Sequence, residues 1–96
     1  MAYYRKKPVV IEAIQYLPRY GFEETPDWLK KAYEDSIVTD HPHDDYYEVV
    51  TLEGLMKGYI YSYLVRGVEG ELYPCRGDIF KETYEKVEEV DMSNEN

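Results

Sequence analysis

Residues 46–61 read YYEVVTLEGLMKGYIY, and this stretch decides the fold class because it has the pattern of a β-hairpin. Residues 46–52 are rich in aromatic and β-branched side chains, Glu53-Gly54 offers a two-residue turn, and the rest of the stretch supplies a second strand. With that turn, Val49 lies opposite Gly58 on an apolar face. The opposite face carries more polar side chains, so the hairpin is expected to cover a core with one side.

A second Glu-Gly pair predicts another hairpin further along the chain. Glu69-Gly70 separates residues 63–68 from residues 71–75, and both flanking segments have strand composition. The same two-residue register places Arg66 directly opposite Tyr73, with Cβ atoms ~5 Å apart. The C-terminal half is therefore predicted to be an antiparallel meander.

The N-terminal half predicts a strand, a helix and a short strand before the hairpins. Residues 8–17 alternate side chains as an extended, largely buried strand does. A helix begins at Thr25-Pro26-Asp27, because a capping threonine, a proline suited to the first helical position and an aspartate at the positive helix end follow one another. It should end near Asp35 and anchor itself in the core through Trp28, before a short strand at residues 36–40.

These elements predict a single α+β domain over residues 1–90. Its architecture is expected to be a mainly antiparallel sheet of five or six strands with one helix packed on a face. Residues 79–83 should form a turn or short helix, 84–90 either a last strand or a fraying helix, and the acidic tail 91–96 should be disordered. Because a small sheet leaves unpaired edges, we expect a homodimer or higher oligomer.

The charge balance excludes some classes of partner. The 96-residue chain has 11 Lys and Arg against 20 Asp and Glu, which gives a formal charge of −9. Such a surface repels nucleic acid and anionic membranes at long range. The sequence also lacks an apolar signal region and any apolar run of the ~20 residues that span a bilayer. We therefore expect a cytoplasmic protein with no nucleic-acid and no membrane partner.

Two long motifs stand towards the two ends of the chain. Residues 4–15 read YRKKPVVIEAIQ, and residues 64–75 read LVRGVEGELYPC, followed by DIF at 78–80 and TYE at 83–85. Both motifs resemble those of a family of small phage- and prophage-encoded proteins. The resemblance implies a virus-encoded accessory protein that acts in the cytoplasm of a bacterial host, and it carries no catalytic residues over.

The chain departs from that family at residues 60–63. Relatives usually carry Pro-Gly-Asp-Tyr there, whereas this sequence reads Ile-Tyr-Ser-Tyr and keeps only Tyr63. The missing Pro-Gly-Asp turn predicts either a continuous strand at this point or the loss of whatever the turn does in relatives.

Neither a metal site nor a catalytic centre is predicted. His41 and His43 precede Asp44 and Asp45, but the proline between the histidines stiffens the loop and no third fixed ligand is visible, so we expect a solvated loop. Cys75 has no base near it in the sequence and is expected to be a buried small residue. Without a Gly-rich phosphate loop, we expect no cofactor.

Basic and tyrosine side chains predict a ligand site in the hairpin region. The chain holds twelve tyrosines, whose rings offer a large contact area at little cost in entropy. An arginine can fork onto a phosphate while a tyrosine stacks on a base. Arg66 and Tyr73 are the central predicted pair, and the full predicted set is Arg66, Tyr73, Arg5, Lys6, Lys7, Arg76, Tyr59 and Tyr61.

These observations favour non-catalytic binding. The leading hypothesis is a phage accessory protein that counters a host defence by sequestering a small anionic, nucleotide-type signal. The alternative is an inhibitor that binds a host protein through an acidic, tyrosine-rich surface, and a small enzyme is the third hypothesis. The sequence leaves all three open.

Overall fold

Seven strands and two α-helices occur in residues 1–87, the part of the chain that the computed structural model describes. A 3-10 turn at Pro42–Asp44 follows the third strand. In chain order the elements are β1 (Glu12–Leu17), β2 (Gly21–Phe22), α1 (Asp27–Glu34), β3 (Val38–His41), β4 (Tyr46–Thr51), β5 (Gly54–Tyr59), β6 (Tyr63–Arg66), β7 (Leu72–Cys75) and α2 (Gly77–Thr83).

The strands form two antiparallel sheets rather than one. A four-stranded sheet has the order β2-β1-β6-β7, and a three-stranded sheet has the order β3-β4-β5. The α+β class is confirmed, but the prediction of one sheet with five or six strands is wrong. The strands divide into two sheets because β6 pairs with β1, from the N-terminal half of the chain, and not with β5, which precedes it. The expected meander is thereby divided between the two sheets.

Residues 60–62 form the turn between the two sheets. Residues 60–62 lie outside both neighbouring strands, and Tyr61 has φ 67°, in the left-handed region that disfavours a side chain. Ser62 Oγ donates to the Tyr59 carbonyl at 2.6 Å, which closes the turn. The prediction of a continuous strand here is wrong, because this turn reverses the chain without proline or glycine.

The first hairpin has its strands two residues away from the predicted register. Val49 lies opposite Met56, not Gly58, because Leu52 and Glu53 occupy the turn and Gly54 begins β5. Gly54 has φ 107°, as in hairpins whose turn is followed by a glycine bulge. A slip of two residues preserves the faces of both strands, so the predicted apolar face still points into the core.

The second hairpin has its strands one residue away from the predicted register. Arg66 lies opposite Leu72, and Tyr73 lies opposite Val65. The loop is longer than two residues, since Gly67 N–H donates to the Glu71 carbonyl at 2.8 Å across its base. A slip of one residue moves a side chain to the other face. The predicted juxtaposition of Arg66 with Tyr73 is therefore wrong.

The core lies between the two sheets and α1. Its largest fully buried side chains are those of Tyr16 and Tyr47, whose ring centroids are 4.8 Å apart. Helix α1 contributes the buried Leu29 and Ala32, whereas Trp28 is half-buried and packs at the margin. The expectation that Trp28 anchors the helix in the core is wrong. Leu29 has that role, because its side chain is fully buried in the core cluster, whereas Trp28 is only partly buried against that cluster.

Helix α1 begins two residues later than the predicted start, with Pro26 as its N-cap and no side-chain capping bond, and its last residue, Glu34, is followed by Asp35 as C-cap, close to the predicted end. A second helix, α2, covers the outer face of the four-stranded sheet, where Phe80 stacks on Tyr63 with 4.0 Å between ring centroids. The prediction of a single packed helix is therefore incomplete. Residues 84–87 are neither strand nor helix. The predictions for residues 88–90 and for a disordered tail at 91–96 lie outside the described residues.

Candidate functional site

A cleft of about 410 Å³ opens where α1 meets the ends of both sheets, and we call it the α1 cleft. Its floor is apolar and its rim carries charged side chains of both signs. This volume falls within the range of small-molecule sites, which are typically mostly apolar with a few convergent polar groups. The lining residues are Trp28, Lys31, Ala32, Asp35, Ile37, Val50, Thr51, Leu52, Arg66, Gly70, Glu71 and Leu72.

One carboxylate holds the aromatic and the cationic side chains of this cleft together. Glu12 Oε2 accepts a hydrogen bond from Trp28 Nε1 at 3.2 Å, and Glu12 Oε1 accepts one from Arg66 Nη1 at 3.3 Å. Glu12 can do this because it lies directly opposite Arg66 in the β1–β6 pair. The indole and the guanidinium therefore lie beside each other on one wall.

The other charges of the rim are also engaged within the chain. Lys31 Nζ lies 3.3 Å from Asp35 Oδ1, one helical turn further on. The Glu71 carboxylate folds back over its own loop and accepts the Glu69 N–H at 2.9 Å. Because these contacts are exposed, each contributes little to stability. Lys31 and Arg66 can therefore change partner when an anion enters.

A second depression of about 370 Å³ runs between β5 and β7, and we call it the β5 groove. Its walls are apolar side chains and strand backbone, with two cations at the rim. Arg76 donates to both carboxylate oxygens of Asp78 at 3.0 and 2.7 Å, which together with the Ile79 N–H lowers the pKa of Asp78 to about 2. The lining residues are Met56, Lys57, Gly58, Tyr59, Ile60, Ser62, Pro74, Cys75, Arg76, Gly77 and Ile79.

The structure does not bring the predicted ligand residues into one site. Arg66 lines the α1 cleft, whereas Arg76 and Tyr59 line the β5 groove. The ring of Tyr61 is exposed on the turn between the sheets. The three basic residues of the N-terminal segment are exposed and precede β1 without belonging to either depression: Arg5, Lys6 and Lys7.

Tyr73 belongs to a packing cluster rather than to either depression. It lies on the face of the four-stranded sheet that α2 covers, and its hydroxyl is 3.5 Å from that of Tyr84. Burial and this hydroxyl pair raise the pKa of Tyr73. Phe80 and Tyr84 stack beside it with 4.8 Å between their centroids. These contacts give Tyr73 a role in seating α2.

The residues that sequence reasoning missed are Trp28 and Lys31 in the α1 cleft and Lys57 in the β5 groove. A signal for the first two was present, because residues three apart on a helix share a face. Trp28 was interpreted as a core residue instead. Lys57 could be recognised only as a basic residue of the hairpin region, since its place beside β7 depends on how the two sheets meet.

The histidine loop and the cysteine offer no alternative centre. His41 Nε2 pairs with Glu48 Oε1 at 2.9 Å and its ring stacks on Tyr46, while His43 is exposed in the 3-10 turn. Within residues 1–87, no three His, Cys, Asp or Glu side chains gather in a metal-binding arrangement. Cys75 is half-buried rather than fully buried, and burial raises the pKa of its thiol, which disfavours the nucleophilic thiolate.

No family model, no curated protein and no solved structure matches this chain. Neither helix in the described part of the chain combines the length and apolar character needed to cross a bilayer.

Proposed function

We propose that this protein binds and sequesters a small anionic, nucleotide-type ligand in the α1 cleft, without catalysing its conversion. The observation that carries the proposal is the arrangement around Glu12, which holds Trp28 and Arg66 on one wall of a cleft with an apolar floor. A base and a phosphate need these two kinds of partner at neighbouring positions.

The aromatic half of the ligand would stack on Trp28. The indole is half-buried, so part of its ring faces the cleft. Stacking of a base on an aromatic side chain contributes ~1–3 kcal/mol and tolerates any base. The apolar floor formed by Ile37 and Leu72 would cover the edge of the ring system.

The phosphate would be held by Arg66 with help from Lys31. A guanidinium has five N–H donors in a planar fork, and the contact with Glu12 uses one of them. A phosphate can therefore bind two donors of Arg66, while Lys31 adds a point charge from α1. The carboxylates of Asp35 and Glu71 at the rim oppose this attraction, and added salt screens both effects, so we expect an affinity that depends only weakly on ionic strength.

The biological setting of the proposal comes from the two motifs that resemble phage- and prophage-encoded proteins. A virus-encoded protein of this size would act in the cytoplasm of the infected bacterium. Sequestration of a nucleotide signal would counter a host defence without any chemical step. Such a role needs a binding cleft and no catalytic centre.

Calorimetric titration of the purified protein with a panel of nucleoside monophosphates and cyclic dinucleotides tests the proposal. At least one of them should bind. Arg66→Lys should weaken that binding roughly tenfold, because lysine cannot make the bidentate contact, and Arg66→Glu should abolish it. Thermal unfolding should change little in either variant, since the pair with Glu12 is exposed.

Arg76→Lys is the matched control, because Arg76 is also exposed, also paired with a carboxylate, and lies in the other depression. It should leave the affinity unchanged. Failure of every nucleotide to bind would refute the proposed function. A loss of affinity in Arg76→Lys but not in Arg66→Lys would place the ligand in the β5 groove instead.

A further inference from the structure

Strand β5 is an edge strand whose outer side has no strand partner in the described part of the chain. It pairs with β4 on one side only. Among the four edge strands of the two sheets, β2 has two residues, β3 and β7 have four each, and β5 has six. A row of unpaired backbone groups on a strand of this length is a template for adding another strand.

The β5 groove gives that template a floor and an opposite wall. Its lining includes the consecutive residues 56–60 on one side and 74–77 on the other, so two sheet edges border one slot. The β7 edge carries Pro74, which has no N–H to donate and blocks strand addition on that side. Strand β5 has no proline. An added strand would therefore pair with β5 and rest against β7.

The side chains around the slot are apolar and positively charged. Met56, Ile60 and Ile79 are each about half exposed there, which leaves apolar area for alternate side chains of an incoming strand. Lys57 and Arg76 also line the slot, and no carboxylate is among its lining residues although the whole chain carries a charge of −9. Asp78 forms an ion pair with Arg76, whereas Lys57 lies opposite Glu48 and holds its Nζ 4.9 Å from the centroid of the Tyr46 ring without an ion pair in the described residues, so Lys57 is the stronger determinant of charge.

We propose that the β5 groove binds an extended segment of a partner protein that alternates apolar and acidic residues and adds as a strand to β5. Backbone hydrogen bonds would supply affinity, and side-chain alternation would supply specificity, as in other strand-addition complexes. Apolar side chains would enter the slot beside Met56 and Ile60, and an acidic one would face Lys57. A second copy of this chain fits less well, because a two-fold pairing through β5 brings Lys57 and Arg76 of both copies to one interface.

The test uses the full-length protein and a capped, fluorescently labelled peptide of alternating valine and glutamate, about eight residues long so that it spans the six residues of β5. The matched peptide alternates valine and lysine. Binding is measured by fluorescence anisotropy at physiological ionic strength, because the Debye length is then about 8 Å and the charges of remote carboxylates are screened. We expect the glutamate peptide to bind and the lysine peptide to bind at least tenfold more weakly.

Two protein variants and one spectroscopic readout locate the binding. Lys57→Glu should weaken binding of the glutamate peptide about fivefold or more, as expected when an exposed attractive pair becomes repulsive. Lys81→Glu, an exposed charge reversal on α2 outside the groove, should not. In amide hydrogen exchange, the peptide should slow exchange of those amides within residues 54–59 that point away from β4.

The outcomes decide the proposal independently of the ligand in the α1 cleft. The proposal would be overturned if the two peptides bound equally well. It would also be overturned if Lys57→Glu and Lys81→Glu lost the same affinity for the glutamate peptide. Slow exchange, without peptide, of the outward-facing β5 amides that do not bond to β4 would also overturn it, because the outer edge of β5 would then already be covered by this chain or by a second copy. Sedimentation of the peptide-free protein distinguishes those two cases.

Discussion

Replacing Ser62 with alanine is expected to destabilise the protein more than the loss of one hydroxyl implies. The Tyr47 hydroxyl lies 2.9 Å from Ser62 Oγ in the buried core, and Ser62 Oγ donates its own proton to the Tyr59 carbonyl. Tyr47 therefore donates to Ser62, and burial raises the pKa of Tyr47 so that it stays protonated. Ser62→Ala leaves this donor without its acceptor.

The magnitudes follow from the partners that remain. An orphaned buried hydroxyl costs about 1–3 kcal/mol, and the bond to the Tyr59 carbonyl about 1 kcal/mol more, so Ser62→Ala should cost roughly 2–4 kcal/mol. Tyr47→Phe removes one neutral hydrogen bond and should cost about 1 kcal/mol. In the double variant no orphan remains, and the Tyr59 carbonyl keeps the Ser62 N–H at 3.1 Å. The double variant should therefore lose about 1–2 kcal/mol of unfolding free energy, well below the sum of the losses in the two single variants.

Urea unfolding followed by circular dichroism measures the three free energies. Tyr20→Phe is the control for removing a tyrosine hydroxyl, because Tyr20 is exposed, and it should change stability by less than about 0.5 kcal/mol. Additive costs in the double variant would refute the reasoning, since they would show that the two hydroxyls do not interact.

Three further outcomes follow from the core and from the Arg76 pair. Gly58→Ala should cost about 1–3 kcal/mol or more, because the added Cβ would overlap the buried ring of Tyr47, and chemical denaturation checks it. Leu29→Ala should cost about 2–5 kcal/mol in the same assay, because Leu29 is fully buried beneath α1. The Asp78 carboxyl should titrate near pH 2 by NMR and return towards its ordinary pKa of 3.8 in Arg76→Gln. Since its pKa is lowered on folding, its contribution to stability is present above pH 3.8 and is lost as the pH falls towards 2.

The positions of most secondary-structure elements could be predicted from local pattern. The end of α1 at Glu34 and the strands around Glu53-Gly54 and Glu69-Gly70 lie within a few residues of their predicted places. The hairpin registers could not be predicted as well, because Glu-Gly does not define one turn type. A slip of two left the first hairpin's faces intact, whereas a slip of one moved Tyr73 away from Arg66.

The candidate site was predictable only in part, for the same reason. Arg66 was identified because an arginine on a tyrosine-rich sheet suits an anion, and it does line a cleft. Its aromatic neighbour is Trp28 and not Tyr73, because Glu12 on β1 links the two across 16 and 54 residues of sequence. No local pattern reveals a contact over that separation.

By itself the sequence determined the class of this protein: an acidic α+β domain in which alternating strands turn at glycines and a short amphipathic helix follows Pro26. These features depend on the period of apolar side chains and on backbone preferences, which act over a few residues. Only the tertiary structure decided that β6 joins β1, that the strands divide into two sheets, and that the basic residues separate into two depressions. Those outcomes depend on the turn at Tyr61 and on which faces can be buried together, and such long-range packing is settled only when the whole core forms.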